Sequence, residues 1–266
     1  MTDTNQDPEI LVSRTTPVAR IVVSNPAKRN ALTLAMKEKL AATFAALEVD
    51  PEVRCIVVSG AGTRSFISGA DISEFEKSRH DVQSEAEHMR ITSAAVMAPA
   101  RSAKPVIASI RGACAGGGFQ FAVNCDVRIA GRSAYFLMPA ARLGLGYAYP
   151  LLANFVSLLG RGRVADLFMS GRRVSAEEAL AIGLIEHLVP DEELDAFVSQ
   201  YADSVAASAP LSLKIVKESL RRIEDTGASE SPPEIQKLLD ACAASEDMAE
   251  GRRAFAEKRK PVFRGR

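Results

Sequence analysis

The chain has 266 residues, and its 33 basic and 33 acidic side chains cancel to a net charge of +0. That balance argues against a phosphate polymer or an anionic membrane surface as the main partner, because both select for a basic excess. Apolar residues at 47% and charged residues at 25% are ordinary globular usage, and the length suits one large domain or two smaller ones.

Residues 1–9 are polar and acidic, unlike the basic and apolar start of a signal peptide, so a cytoplasmic location is expected. Ile10-Leu11-Val12 and Arg20-Ile21-Val22-Val23 read as paired strands. A helix follows the turn Ser24-Asn25-Pro26, with Thr33 as its N-cap. Met36, Leu40, Phe44 and Leu47 recur at intervals of three and four and form its apolar stripe. Asp50-Pro51 ends that helix, and Cys55-Ile56-Val57-Val58 is a continuous apolar run typical of a strand buried on both faces. Pro105-Val106-Ile107-Ala108-Ser109-Ile110 and Asp126-Val127-Arg128-Ile129-Ala130 repeat the theme, separated by a glycine-rich stretch and an apolar helix.

Beyond Pro150 the pattern turns helical, with little strand signal. Ser175-Ala176-Glu177-Glu178 is a capping-box start, and residues 191–207, 211–224, 233–244 and 247–259 read as further helices. Several carry apolar residues without an obvious partner, as expected of a region that packs on another subunit. The expected division is an α/β core over residues 1–200 and a helical oligomerisation region over 201–266. The most apolar stretch, residues 148–159, holds Pro150, Asn154 and Ser157. It is shorter than the ~20 residues needed to span a bilayer, so no membrane partner is expected.

The four cysteines (Cys55, Cys114, Cys125, Cys242) show no CxxC spacing. They read as reduced, buried thiols, and no metal site is expected. Gly160-Arg161-Gly162-Arg163-Val164-Ala165 matches a loose dinucleotide fingerprint, but it follows a helical run and reads as a helix-to-helix turn. No P-loop and no GxSxG elbow occur, and His80, His88 and His187 are scattered and read as surface or helix residues.

Two glycine-bearing segments carry more chemistry. Ser65-Phe66-Ile67-Ser68-Gly69-Ala70-Asp71-Ile72 and Arg111-Gly112-Ala113-Cys114-Ala115-Gly116-Gly117-Gly118-Phe119-Gln120 each follow a strand and precede a helix start. Backbone N–H groups at such a place can point at an oxygen, aided by the helix dipole. Two such segments could pair their donors around one carbonyl oxygen as an oxyanion hole.

These segments, with the rest of residues 18–263, resemble the crotonase (enoyl-CoA hydratase/isomerase) superfamily. Asn25-Pro26-Ala27-Lys28-Arg29-Asn30-Ala31-Leu32 is similar to the family's first loop and helix start. Cys125-Asp126-Val127-Arg128-Ile129-Ala130, Ala179-Leu180-Ala181-Ile182-Gly183-Leu184-Ile185 and Phe255-Ala256-Glu257-Lys258-Arg259-Lys260-Pro261 match in order. The resemblance implies an α/β spiral of ββα turns with a C-terminal helical trimerisation region, assembled as a homotrimer or a dimer of trimers. It implies an acyl-CoA substrate, with coenzyme A present only as part of the thioester and no permanently bound cofactor. By position, the N–H groups of Ala70 and Gly117 would hold the thioester oxygen. Lys28, Arg29, Ser68, Asp71 and Ile72 would lie along the CoA, and Phe255 and Lys258 would reach the CoA of a neighbouring subunit.

The chain departs from the family pattern where a hydratase places two glutamates. The matching positions are Gln120 and Ala140, and general acid–base groups are worth about 10²–10⁴-fold each. Hydration and the standard isomerisation are therefore expected to be weak. Tyr147 falls in the loop that closes the acyl pocket, whose lining is expected from residues 74–98 and 140–152. The family's methylmalonyl-CoA decarboxylases resemble this chain around that loop and carry a tyrosine at the matching place, but a histidine where this chain has Ala70. Arg142 reads either as a site for a substrate carboxylate or as a solvated surface residue; Asp71 reads as a helix-start cap, and Asp126 as structural. The leading expectation is an acyl-CoA enzyme that stabilises a thioester enolate. The alternatives are a malonyl-type acyl-CoA decarboxylase and a non-catalytic acyl-CoA-binding protein. An RNA-binding role, found in one branch of the family, has little support in a chain without net positive charge.

Overall fold

The computed structural model describes residues 7–71, 82–226 and 232–266; Ile72 and His80 lie outside the described residues. Strands β1 (Glu9–Thr15) and β2 (Val18–Ser24) form an antiparallel hairpin in which Ile10 faces Val23. Helix α1 (Leu34–Glu48) starts as expected, with the Thr33 hydroxyl accepting from the Met36 N–H at 3.2 Å. Its stripe of Met36, Leu40, Phe44 and Leu47 is buried.

Three turns then repeat one plan, a strand in a first sheet followed by a short strand in a second. The first turn is β3 (Cys55–Gly60) and β4 (Ser65–Ile67), followed by helices α2 (Val82–Val96) and α3 (Ala98–Arg101). The second is β5 (Val106–Ile110), β6 (Ala113–Ala115) and helix α4 (Gly117–Val123). The third is β7 (Val127–Gly131) and β8 (Tyr135–Leu137), followed by helices α5 (Tyr149–Leu159) and α6 (Arg161–Ser170). Strand β9 (Arg173–Ser175), helix α7 (Ala176–Ala181) and strand β10 (His187–Val189) complete the two sheets. The six-stranded sheet has the order β1-β2-β3-β5-β7-β10 and the four-stranded sheet the order β4-β6-β8-β9. Successive parallel strands joined through helices wind in one direction, which makes the chain a ββα spiral.

Strands β9 and β10 correct the expectation of little strand beyond Pro150. Each has only three residues, too few to show a period, and each is fixed by its neighbour: β9 runs antiparallel to β8 and β10 parallel to β7. The capping box at Ser175 is also only half formed. Its hydroxyl accepts from the Glu178 N–H at 3.2 Å, but the Glu178 carboxylate turns to Arg172. Gly160 joins α5 to α6 with φ of 76°, the helix-to-helix turn expected there.

Helix α8 (Leu194–Ala206) covers the outer face of the large sheet with Leu194, Val198, Ala202 and Ala206. Helices α9 (Pro210–Thr226), α10 (Pro233–Ala243) and α11 (Glu246–Ala256) follow. Lys217 of α9 fastens this region to the spiral. Its ammonium donates to the carbonyls of Pro99 and Lys104 at 2.9 and 2.8 Å and to the Asp126 carboxylate at 2.8 Å. Asp126 also accepts from the Val106 N–H at 2.7 Å, so it is structural, as expected. Three of the cysteines, Cys55, Cys114 and Cys125, are buried and unbridged, while Cys242 is half-buried. Burial, and then the nearby Asp126, push the Cys55 thiol up to about 12. Among the described residues no helix is long and apolar enough to cross a membrane.

The core centres on Phe66, Phe119, Phe121, Phe136 and Phe155, all fully buried. Phe119 meets Phe155 edge-on at 4.9 Å and Phe136 at 5.4 Å, the tilted geometry that aromatic rings favour. Next to Phe119, Gly118 lets α4 press on β4: a Cβ there would lie 2.1 Å from the Ile67 carbonyl oxygen. Helix propensity alone would make Gly118→Ala stabilising by roughly 1 kcal/mol. The contact predicts the reverse, a loss of about 1–3 kcal/mol, read as a lower urea midpoint at unchanged m value. A rise in the midpoint would show that the two elements are not tightly apposed.

Candidate active site

The loop after β4, the start of α4, residues 138–148 and helices α1 and α2 enclose a cavity of about 270 Å³. Its backbone wall is built by two glycine turns. Leu32 bridges Ala70: the Leu32 N–H donates to the Gly69 carbonyl at 2.8 Å, and the Asp71 N–H donates to the Leu32 carbonyl at 3.0 Å. In such a parallel bridge the central residue turns its own N–H away from the partner strand, so the Ala70 N–H faces away from Leu32. Gly117 is the first residue of α4 and has no carbonyl four residues earlier in its helix to take its N–H.

The two turns touch. Gly69 has φ of 119° and Gly116 has φ of 51°, conformations that L side chains rarely adopt. A Cβ on Gly116 would sit 3.7 Å from the Gly69 Cα, and one on Gly69 would sit 3.9 Å from the Gly117 nitrogen. Ala70 and Gly117 both line the cavity beside them.

Around this wall the residues expected from sequence divide. Lys28 ends a short 3-10 turn (Pro26–Lys28), and its ammonium donates to the Asp71 carboxylate at 2.7 Å. Asp71 is only 6% exposed. Its carboxylate answers a lysine, while the helix start it was expected to cap lies outside the described residues. The Ser68 hydroxyl donates to the Lys28 carbonyl at 3.2 Å and lines the cavity. Arg29 is exposed, in a left-handed conformation with φ of 54°. Phe255, 88% exposed at the end of α11, and Lys258 just beyond it do not line the cavity. Arg142 donates from Nε and a terminal nitrogen to the Ser170 carbonyl at 3.1 and 2.8 Å and is likewise absent from the lining. It is exposed and ties the loop to α6, in keeping with the surface reading made from sequence.

Gln120, Ala140 and Tyr147 come together at the cavity. The Tyr147 hydroxyl donates to Gln120 Oε1, and Gln120 Nε2 donates to the Leu151 carbonyl at 3.1 Å. Both polar atoms of the amide are thus engaged. Tyr147 packs edge-on against Phe168 at 4.9 Å and Phe155 at 6.3 Å. Burial pushes its phenol well above the ordinary 10.0, because the phenolate would lose its hydration. Tyr147 is therefore a neutral hydrogen-bond donor.

Of the polar cavity residues, Lys37 on α1 lies outside the segments expected to line the pocket, while His88 and Thr92 on α2 fall within the expected 74–98 segment without having been singled out. Lys37 had a legible signal, since it stands three before Leu40 and seven before Phe44 on the buried face. His88 and Thr92 had only their spacing of four on one helix.

The enoyl-CoA hydratase/isomerase family model matches residues 13–266. The chain belongs to that family. It is 31% identical over 270 residues to an enoyl-CoA hydratase of Mycobacterium tuberculosis, covering 100% of each chain. It is 32% identical over 251 residues to the methylmalonyl-CoA decarboxylase of Escherichia coli, covering 93% of this chain and 95% of that one. The crystal structure of an enoyl-CoA hydratase/carnithine racemase from Magnetospirillum magneticum superposes with a TM-score of 0.92 at 31% identity, covering 100% of this chain and 97% of that one. The spiral is thus the crotonase fold, and the protein is an acyl-CoA enzyme of that family.

The neutral state of Tyr147 can be read by alkaline difference spectroscopy between the wild type and Tyr147→Phe. Because its folded pKa exceeds the unfolded value, the stability it contributes is complete below pH 10.0 and is lost as pH rises through the folded value. The difference spectrum should show no tyrosinate signal up to that pH. A step centred at or below it would show a solvated phenol.

Proposed function

We propose that the cavity holds the thioester end of an acyl-CoA and stabilises an enolate at its carbonyl oxygen, with the N–H groups of Ala70 and Gly117 as the donors. The contact between the Gly69 and Gly116 turns carries this reading, because it sets two backbone donors side by side on one cavity wall. Donors fixed in advance where charge develops stabilise the enolate more than the neutral thioester, which is what accelerates the step. Lys28, Arg29, Ser68 and Asp71 would serve the CoA beside that wall. Phe255 and Lys258, remote from the cavity of their own chain, would serve the CoA of a neighbour in a trimer or dimer of trimers. The exposed apolar side chains of Val216, Leu220 and Ile223 on α9 support such an assembly.

A particular enolate reaction is favoured by the Tyr147–Gln120 hydrogen bond. Among the described residues no aspartate or glutamate lines the cavity, so a carboxylate base of the hydratase kind has no counterpart among them. Decarboxylation of a malonyl-type thioester needs no base. The bond from the α-carbon to the carboxylate breaks, its electron pair passes into the enolate, and CO2 leaves. The α-carbon then takes a proton, which the neutral Tyr147 hydroxyl can supply and water can restore. The similarity to a methylmalonyl-CoA decarboxylase supports this reading.

Gly117 permits a direct test. Proline is favoured at the first position of a helix, and a Cβ on Gly117 would meet no atom within 4 Å. Gly117→Pro should keep the fold, delete one donor and lower kcat by roughly 10²–10³-fold, while Gly117→Ala, which keeps the N–H, loses far less. CO2 release from malonyl-type thioesters should fall by about 10²-fold in Tyr147→Phe, and crotonyl-CoA hydration should be slow in the wild type. Equal turnover by the proline and alanine variants removes the backbone donors from the mechanism. Rapid crotonyl-CoA hydration overturns the role given to Gln120 and Ala140, and tight binding of acyl-CoA without any turnover makes the protein a thioester binder.

A further inference from the structure

The loop that carries Leu32 is pinned by a side chain outside the cavity. Asn30 is 1% exposed and stands at φ of 59°, a left-handed conformation that asparagine tolerates better than most residues. Both ends of its amide are engaged. Oδ1 accepts from the Asn25 N–H at 3.1 Å, and Nδ2 donates to the carbonyls of Ala61 and Ser65 at 3.0 and 2.8 Å. With an N–H facing the oxygen and two carbonyls facing the nitrogen, only one orientation of the amide satisfies all three partners. Gly60, at the end of β3, leaves the space: a Cβ there would lie 2.7 Å from Nδ2. Asn25, 2% exposed, holds the loop from within by donating from Nδ2 to the Ala31 carbonyl at 2.8 Å.

These bonds reach the oxyanion wall in two steps. Ser65 begins β4, the strand from which the Gly69 turn emerges, and the Asn30 amide grips that beginning. Two residues further along the same loop, Leu32 grips the other end, at Gly69 and Asp71. Residues 30–32 therefore hold the segment Ser65–Asp71 at both ends, with Ala70 between the two anchors of Leu32. Closing the loop does not require the amide, because the Asn30 N–H already donates to the Asn25 carbonyl at 2.8 Å. The bonds to residues 61 and 65 instead fix where the loop stands relative to β4. We propose that Asn30 is a positioning residue for the enolate chemistry, acting through Leu32 to fix the direction of the Ala70 N–H. This rests on the reading of the cavity as the acyl-CoA site and adds what keeps one of its two donors in aim. A misplacement of about 1 Å at a reacting centre costs on the order of 10²-fold in rate, so a clamp of this kind shows in turnover before it shows in binding.

Asn30→Gly keeps the left-handed backbone and removes the side-chain bonds, while Asn30→Asp keeps the shape and the acceptor but loses both donations. The probe is butyryl-CoA labelled with carbon-13 at the thioester carbonyl, read by isotope-edited infrared difference spectroscopy alongside calorimetric binding. In the wild type the donors should move the carbonyl stretch of the bound thioester below that of the free one. In either Asn30 variant the band should return at least half-way to the free position, while affinity stays within about threefold of the wild type. The kcat for the thioester substrate should fall roughly tenfold to a hundredfold at little changed KM. Asn25→Asp, which loses the bond to the Ala31 carbonyl, should move the band the same way by less and serves if neither Asn30 variant folds. A purely structural role lowers the melting temperature and leaves the band of the folded variant where the wild type has it; that result overturns this inference alone. Butyryl-CoA that fails to bind the wild type, or binds with an unshifted carbonyl band, overturns the proposed function beneath it.

Discussion

Two backbone turns touching without side chains between them is the constraint from which the site follows. Gly69 and Gly116 both lie at positive φ, and each presents only backbone to the other. The contact is held from behind by elements of the spiral. Leu32 bonds to both neighbours of Ala70, and Gly118 lets α4 rest on the Ile67 backbone. Because β4 and β6 pair in parallel in the second sheet, the two strand ends leave that sheet on the same side. A loop placed by chance would need side-chain packing to hold such geometry; here adjacent strands of one sheet do it.

Charge is sorted around this neutral centre. Asp71 and Lys28 answer each other beside the Ser68–Ala70 segment, and Lys37 lies on the helical wall. At the cavity between them stand the Gln120 amide, the Tyr147 phenol and the Ala140 methyl group. These side chains offer hydrogen bonds but no carboxylate base, which is why the proposed reaction begins by losing CO2.

What could be read from the sequence was what local chemistry decides. Thr33, the stripe on α1 and the apolar runs of β3, β5 and β7 each state their structure within a few residues, and the two glycine segments announce a turn at a strand end. Tyr147 and Gln120 could each be singled out, but their hydrogen bond joins residues 27 apart through the placement of α4 and the loop before α5. Strands β9 and β10 are defined only by the neighbours they pair with. Lys37 was passed over although its spacing sets it on the buried stripe of α1, and His88 reads as a surface or helix residue because a polar side chain on a helix usually marks the solvated face. The ion pair of Asp71 was hidden for a related reason: its partner Lys28 lies 43 residues earlier.

The bond from Gln120 Nε2 to the Leu151 carbonyl has an evolutionary consequence. A glutamate at this position would bring a carboxyl oxygen against a carbonyl oxygen, two acceptors with no proton between them, in a position only 2% exposed. Such a group escapes the repulsion by binding a proton, and a buried carboxyl that holds its proton is no base. A single substitution of Gln120 by glutamate would therefore place a protonated carboxyl beside the cavity instead of a base. A charged carboxylate there would also require the start of α5 to move its carbonyl away, so the neighbouring helix constrains this position as much as the residue itself does.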